Sequence, residues 1–332
     1  MDEKLFRARI CKDLLPVYDA CAGFDLKNLD AFVKATTVAE MAAMRDEPEV
    51  HVYEKMIRGQ TNCPDIKLRI YEPMGRTELL PGMLFFHGGG FVFGSVYRQE
   101  SLCQRYCKQT QSVIVSVDYR LAPKWRAPAG AEDGYAAFCW VDKNGESIGV
   151  DTSRVGLIGL SGGGNICAAV TLMTRDRQGP KPLISMPLYA ELDHRFITKS
   201  SREIDSLKVW SYPYSLLSWE YNLMPGEEPN YYVNPSLCED LSGLPPTFSY
   251  VGGLDPFRDE NLDYWNRLMA MNVDVECHIY PGCFHGFDLS VPDSVYGFMA
   301  FRETCAFICR TMKTQFQDMA VAETNAFGGT PA

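Results

Sequence analysis

Histidine is scarce in this chain, with 5 in 332 residues, and so is positive charge, with 32 Lys and Arg against 42 Asp and Glu. The resulting net charge of −10 argues against nucleic acid or an anionic membrane as the main partner, because both are bound through a cationic surface. Long apolar runs are missing too. The most apolar stretch, "GMLFFHGGGFVFG", falls well short of the roughly 20 residues needed to cross a bilayer. The first residues, "MDEKLFRARICKDLL", put acid first and carry no apolar segment of the secretory kind, so a cytoplasmic location is expected. The 12 cysteines are too few for a disulfide scaffold at this length, and they read as buried small hydrophobes of a reducing compartment: Cys139, Cys167, Cys277, Cys305 and Cys309. Cys103 and Cys107 lie one helical turn apart. A metal site would need two more ligands nearby, and no second spaced pair or His pair suits, so neither metal nor cofactor is expected.

What the chain does have is alternation. Eight apolar, β-rich runs read as strands: 50–57, 67–72, 82–87, 112–118, 154–159, 183–188, 247–252 and 274–280. Several are apolar throughout, as strands covered on both faces must be. Helical patterns separate them, which predicts an α/β fold with a mostly parallel sheet. Two stretches break the rhythm. Residues 1–48 read as helical throughout, with Leu26, Leu29, Phe32 and Val33 on one stripe. Residues 190–242 are rich in aromatics, including Trp210, Tyr212, Tyr214, Trp219 and Tyr221. The expected organisation is therefore a core of 49–189 and 243–317, a helical cap made by 1–48 and the insertion 190–242, and a C-terminal tail at 318–332.

The chemistry gathers at strand ends. In "GLSGGGN" (159–165), Ser161 follows an apolar strand and precedes a helix, with Gly159 and Gly163 two residues away on either side. A strand that turns directly into a helix needs small residues at those positions, and the helix N-terminus beside the serine favours developing negative charge. Alone, the pattern also fits a tight phosphate-binding turn. A serine needs a base, and the base needs an orienting group. His285, in "PGCFHGF" after the last strand, is the candidate base, and Asp255, in "GGLDPF", the candidate acid. His51 and His278 lie within strand patterns and His194 in the insertion, while Asp259 and Asp263 are weaker candidates for the acid. "HGGGF" (87–91) follows the strand 82–87. Its glycines Gly88, Gly89 and Gly90 let backbone N–H groups turn toward a substrate oxygen, with His87 holding the loop. With the N–H of Gly162 they form a candidate oxyanion hole.

From about Tyr71 to Phe316 the chain resembles the hormone-sensitive-lipase-like, or bacterial family IV, esterases of the α/β-hydrolase fold. The resemblance rests on "HGGGF" (87–91), "VDYRLAP" (117–123), Asp133, "GLSGGGN" (159–165), "LSGLPPTFSYVGGLDPFRDE" (241–260) and "YPGCFHGF" (280–287). It implies an eight-stranded sheet flanked by helices and a helical cap, with Ser161 as nucleophile, His285 as base and then acid, and Asp255 as its partner. It also implies oxyanion donors at Gly89, Gly90 and Gly162, and a short- to medium-chain ester as the small-molecule substrate. Two positions depart from the family's pattern. Leu160 replaces the usual aspartate before the nucleophile, and Lys124 the usual glutamate after "YRLAP"; neither removes a catalytic group. An amidase, formamidase or lactone hydrolase would use the same residues. Related plant gibberellin receptors keep the fold and bind a ligand without hydrolysis, but they have lost the histidine that is present here. Family members often form homodimers through the last strand, and 274–280 is an apolar candidate edge compatible with that.

Overall fold

The computed structural model describes residues 1–45 and 47–315; the expected tail at 318–332 lies outside them. Eight strands form one sheet: β1 (Val50–Ile57), β2 (Ile66–Pro73), β3 (Leu80–Phe86), β4 (Val113–Asp118), β5 (Val150–Leu160), β6 (Ser185–Leu188), β7 (Thr247–Leu254) and β8 (Val275–Phe284). Their order is β1-β2-β4-β3-β5-β6-β7-β8. β2 runs antiparallel to both β1 and β4, and every pairing from β4 through β3 to β8 is parallel.

The apolar strands explain the layering. Successive side chains of a strand point to opposite faces. On β3, Met83 and Phe85 enter one core with Tyr106, Ile158, Phe301 and Ile308, while Leu84 and Phe86 enter the other with Val115, Phe138, Leu157 and Val170. Helices Glu100–Thr110 and Val295–Met312 cover the first face, and Ala129–Asn144 with Gly162–Asp176 cover the second. Burying both faces of the central strands is what allows them to be apolar without alternation.

Residues 1–48 are not helical throughout, contrary to the expectation. Helices Glu3–Arg9, Leu15–Ala20 and Leu29–Ala43 are separated by turns. Pro16 opens the second helix, and the break that follows it contains Gly23 at φ +78°. A Cβ there would overlap the Leu207 carbonyl, so the turn is set by a neighbour distant in sequence. The predicted stripe does find a partner. Leu26, Leu29, Phe32 and Val33 pack with Phe24, Phe93, Trp210, Tyr214 and Tyr221, which joins the N-terminal stretch to helix Tyr212–Asn222 of the insertion. The cysteine expectation is corrected at two positions. Cys167, Cys305 and Cys309 are buried, but Cys139 is half-buried and Cys277 exposed. β8 ends the sheet, so its outer edge has no further strand paired to it.

Candidate active site

Ser161 is the hinge between β5 and helix Gly162–Asp176, held at φ 57° and ψ −119°. An L-residue rarely adopts that conformation, and it persists only where surrounding packing enforces it. The packing here is glycine on backbone. A Cβ on Gly159 would overlap the Gly163 carbonyl, and one on Gly163 would overlap the carbonyls of His87 and Phe86. The Ser161 N–H donates to the Leu188 carbonyl at 3.0 Å, tying the turn to the end of β6. Asn165, one turn into the helix, donates from Nδ2 to the carbonyls of Glu191 (2.8 Å) and Val233 (3.1 Å).

The three sequence-predicted residues come together. His285 Nε2 lies 2.8 Å from Ser161 Oγ, and His285 Nδ1 lies 2.8 Å from Asp255 Oδ2. A carboxylate only accepts, so this pairing puts the imidazole proton on Nδ1 and leaves Nε2 to accept from the serine hydroxyl. Asp255 is 1% exposed, and its Oδ1 accepts from the Phe257 N–H at 2.8 Å, which fixes the carboxylate plane. Tyr189 and Phe257 meet the His285 ring edge-on, with centroids at 5.2 and 5.0 Å. The rival acids are engaged elsewhere: Asp259 accepts from the Ser200 N–H and from Arg258, and Asp263 faces Arg267.

The glycine loop closes over the serine. Gly89 and Gly90 have φ +138° and +52°. A Cβ built on Gly162 would lie 3.1 Å from the Gly90 nitrogen, and one on Gly88 3.6 Å from the Ser161 Cβ. His87 lies beneath this loop, buried and stacked on Tyr119 with centroids 4.2 Å apart. Its Nδ1 is 3.0 Å from the Gly88 carbonyl, and the Tyr119 hydroxyl donates to the His87 carbonyl at 2.6 Å. Burial lowers its pKa to about 4, so the ring is neutral at neutral pH. Buried Asp133 accepts from Arg120 Nε and Nη2, both at 2.8 Å, and from the Arg120 N–H at 2.9 Å, fixing the turn after β4.

A cleft of about 140 Å³ opens on Ser161 and His285, walled by Phe24, Phe93, Trp210 and Leu289, with Arg98, Gln99 and Lys208 also lining it. Sequence reasoning singled out Trp210 only as one aromatic of the insertion, and it missed Tyr119, Asn165 and Gln99. Asn165 left a trace, as a polar residue at the start of an otherwise apolar helix, and "VDYR" placed Tyr119 at the end of a strand beside the glycine loop. Among the described residues no group of three or more His, Cys, Asp or Glu is placed to hold a metal ion, and no helix is long and apolar enough to cross a membrane.

A family model described as the alpha/beta hydrolase fold matches residues 83–289, more than half of the chain. The chain belongs to the α/β-hydrolase fold family. Its relatives within that family include the carboxylesterase NlhH of Mycobacterium tuberculosis, 33% identical over 252 residues covering 72% of this chain and 76% of the relative. The ethyl acetate hydrolase of Pseudomonas putida is 27% identical, covering 79% of this chain and 89% of its own. Among solved α/β-hydrolases, a bacterial heroin esterase superposes with a TM-score of 0.88 at 29% identity, over 92% of this chain and 98% of its own. These matches place the chain in the hormone-sensitive-lipase-like branch of the family.

Proposed function

We propose that the protein is a serine carboxylesterase that hydrolyses short- to medium-chain acyl esters through an acyl-enzyme intermediate. The observation that carries this reading is the continuous Ser161–His285–Asp255 hydrogen-bond chain, with both links at 2.8 Å, opening on a cleft that the glycine loop also lines. The likeness to named carboxylesterases supports it.

In this mechanism neutral His285 takes the Ser161 proton at Nε2 as Oγ attacks the ester carbonyl. The carbonyl oxygen becomes an oxyanion that rests on the N–H groups of Gly89, Gly90 and Gly162, assisted by the positive end of helix Gly162–Asp176. His285 then passes the proton to the departing alcohol. It next deprotonates a water that attacks the acyl-enzyme, and the returning proton restores Ser161 as the acid leaves. Asp255 holds the tautomer and stabilises the imidazolium in both halves.

Residues 1–48 and 190–242 act in this reading as one cap. Phe24 from the first stretch and Trp210 from the second meet at 5.4 Å over the same cleft. The small volume and the ring of Trp210 against Gly90 limit acyl length.

Hydrolysis of p-nitrophenyl esters from acetate to decanoate tests both parts. Turnover is expected to peak among the shorter chains and to fall to the uncatalysed background in Ser161→Ala. Residual turnover of the variant near that of the parent would remove Ser161 from the reaction, and a maximum at decanoate would remove the short-chain assignment.

A further inference from the structure

Two thiols far apart in the chain meet beside the loop that carries His285. Cys11 follows the first helix, and Cys283 precedes His285 by two residues. The backbones are already bonded there, with the Cys11 N–H donating to the Gly282 carbonyl at 3.0 Å. Cys11 Sγ lies 3.0 Å and Cys283 Sγ 3.7 Å from one shared acceptor, the Pro281 carbonyl, which makes the two thiols neighbours. Between them Gly282 sits at φ +71°, and a Cβ there would come within 2.7 Å of Cys11 Sγ. Cys283 is fully buried while Cys11 is half-buried, so a reagent from solvent reaches Cys11 first.

We propose that Cys11 and Cys283 are a modification site, closing to a reversible disulfide with a small-molecule disulfide such as oxidised glutathione and fastening the N-terminal helices to the His285 loop. The exchange balances in two steps. The Cys11 thiolate attacks one sulfur of oxidised glutathione, forming a mixed disulfide and releasing one glutathione thiolate. The Cys283 thiolate then attacks the Cys11 sulfur and releases the second. Two protein thiols are oxidised, one external disulfide is reduced, and the two protons pass to the glutathione thiolates. Burial raises both thiols above the ordinary cysteine range, so the exchange is slow at neutral pH and requires an excess of oxidant.

The bond joins thiols that already share the Pro281 carbonyl, so it changes the folded geometry little. Its effect falls on opened states. The Tyr18 ring packs against Phe284 at 5.9 Å, and Cys21 and Phe24 line the cleft, so lifting the N-terminal stretch would expose His285. A link spanning most of the chain prevents that lifting and strongly restricts the unfolded ensemble.

The full chain is incubated with oxidised glutathione, and the product is read by thiol titration under denaturing conditions, non-reducing peptide mapping and thermal-inactivation half-life. Loss of two thiols is expected, with the Cys11 and Cys283 peptides linked and a half-life about tenfold longer that dithiothreitol reverses. Cys11→Ser, at a half-buried turn, is expected to retain its fold and show neither change; Cys283→Ala is the second control. A glutathione adduct stopping at Cys11 with Cys283 still free would overturn the site, as would linkage of any other pair such as Cys103–Cys107. A correct link that leaves the half-life unchanged would overturn the fastening role.

Discussion

The Asp255 carboxylate does not touch Ser161, yet the proposed mechanism makes the serine's reactivity depend on it through one imidazole. Replacing Asp255 with Asn keeps the side-chain volume and can keep an oxygen opposite the Phe257 N–H, but it turns an amide donor toward His285 Nδ1. The ring then protonates on Nε2, and that nitrogen can no longer take the serine proton. Turnover of Asp255→Asn is expected to fall on the order of 10⁴-fold, the scale seen when the same swap is made in a serine protease, with little change in the urea midpoint. A stopped assay for ester cleavage beside an unfolding curve separates the two effects. Turnover within tenfold of the parent would return the role to another carboxylate. Most of this residue-scale site was legible in the sequence because its parts sit at strand ends in a fixed order, with Ser161 between glycines whose spacing has a steric reason. What was not legible is the support beneath it. Tyr119 under His87 and Asn165 under the elbow act through backbone carbonyls, whose positions only the folded chain defines.

At the scale of elements, helix Gly162–Asp176 is held at its reactive end by Asn165. Its amide bridges the carbonyl of Glu191, after β6, and that of Val233, deep in the insertion, while itself 2% exposed. Asn165→Ala leaves both carbonyls without that donor. Stranding buried acceptors costs about 1–3 kcal/mol, so a loss of about 2 kcal/mol is expected in urea unfolding. Turnover is expected to fall as well, because the elbow and the insertion lose their common anchor. An unfolding curve that overlays the parent's would show the bonds to be dispensable. The same scale explains which elements could be read from sequence. Strands covered on both faces, such as β3 and β4, announce themselves by composition, and all eight strands, the partly exposed β1 and β8 included, were found within a few residues. β5 begins earlier, at Val150, because Leu80 offers it a partner across the sheet. The breaks in the N-terminal stretch come from contacts with residue 207 and β8, which no local window contains.

Taken as a whole, the molecule buries ionisable groups whose titration works in opposite directions. His87 has a folded-state pKa near 4, while the unfolded value is about 6.5. The unfolded chain therefore binds more protons between those values, and this contribution to stability is complete above about 6.5 and is lost as pH falls toward 4. Glu191 behaves the other way. It is fully buried, Ser218 Oγ donates to one of its oxygens at 3.3 Å, and the other has no partner among the described residues. Burial, with a smaller push from Asp255, raises its pKa well above the ordinary carboxyl range. Below the unfolded value of about 4.3 both states hold the proton and Glu191 has no pH-linked effect. As pH rises past it, the unfolded chain releases its proton while the native state retains it, so stability falls until the folded pKa is reached. Glu191→Gln keeps the shape and removes the titration. Its thermal midpoint is expected to gain on the parent's steadily as pH is raised from about 4, with the gain levelling where Glu191 ionises in the folded protein. Thermal melts of both proteins across that range read the difference directly. A constant offset at every pH would mean that Glu191 titrates alike in both states, with its second oxygen solvated in spite of its burial.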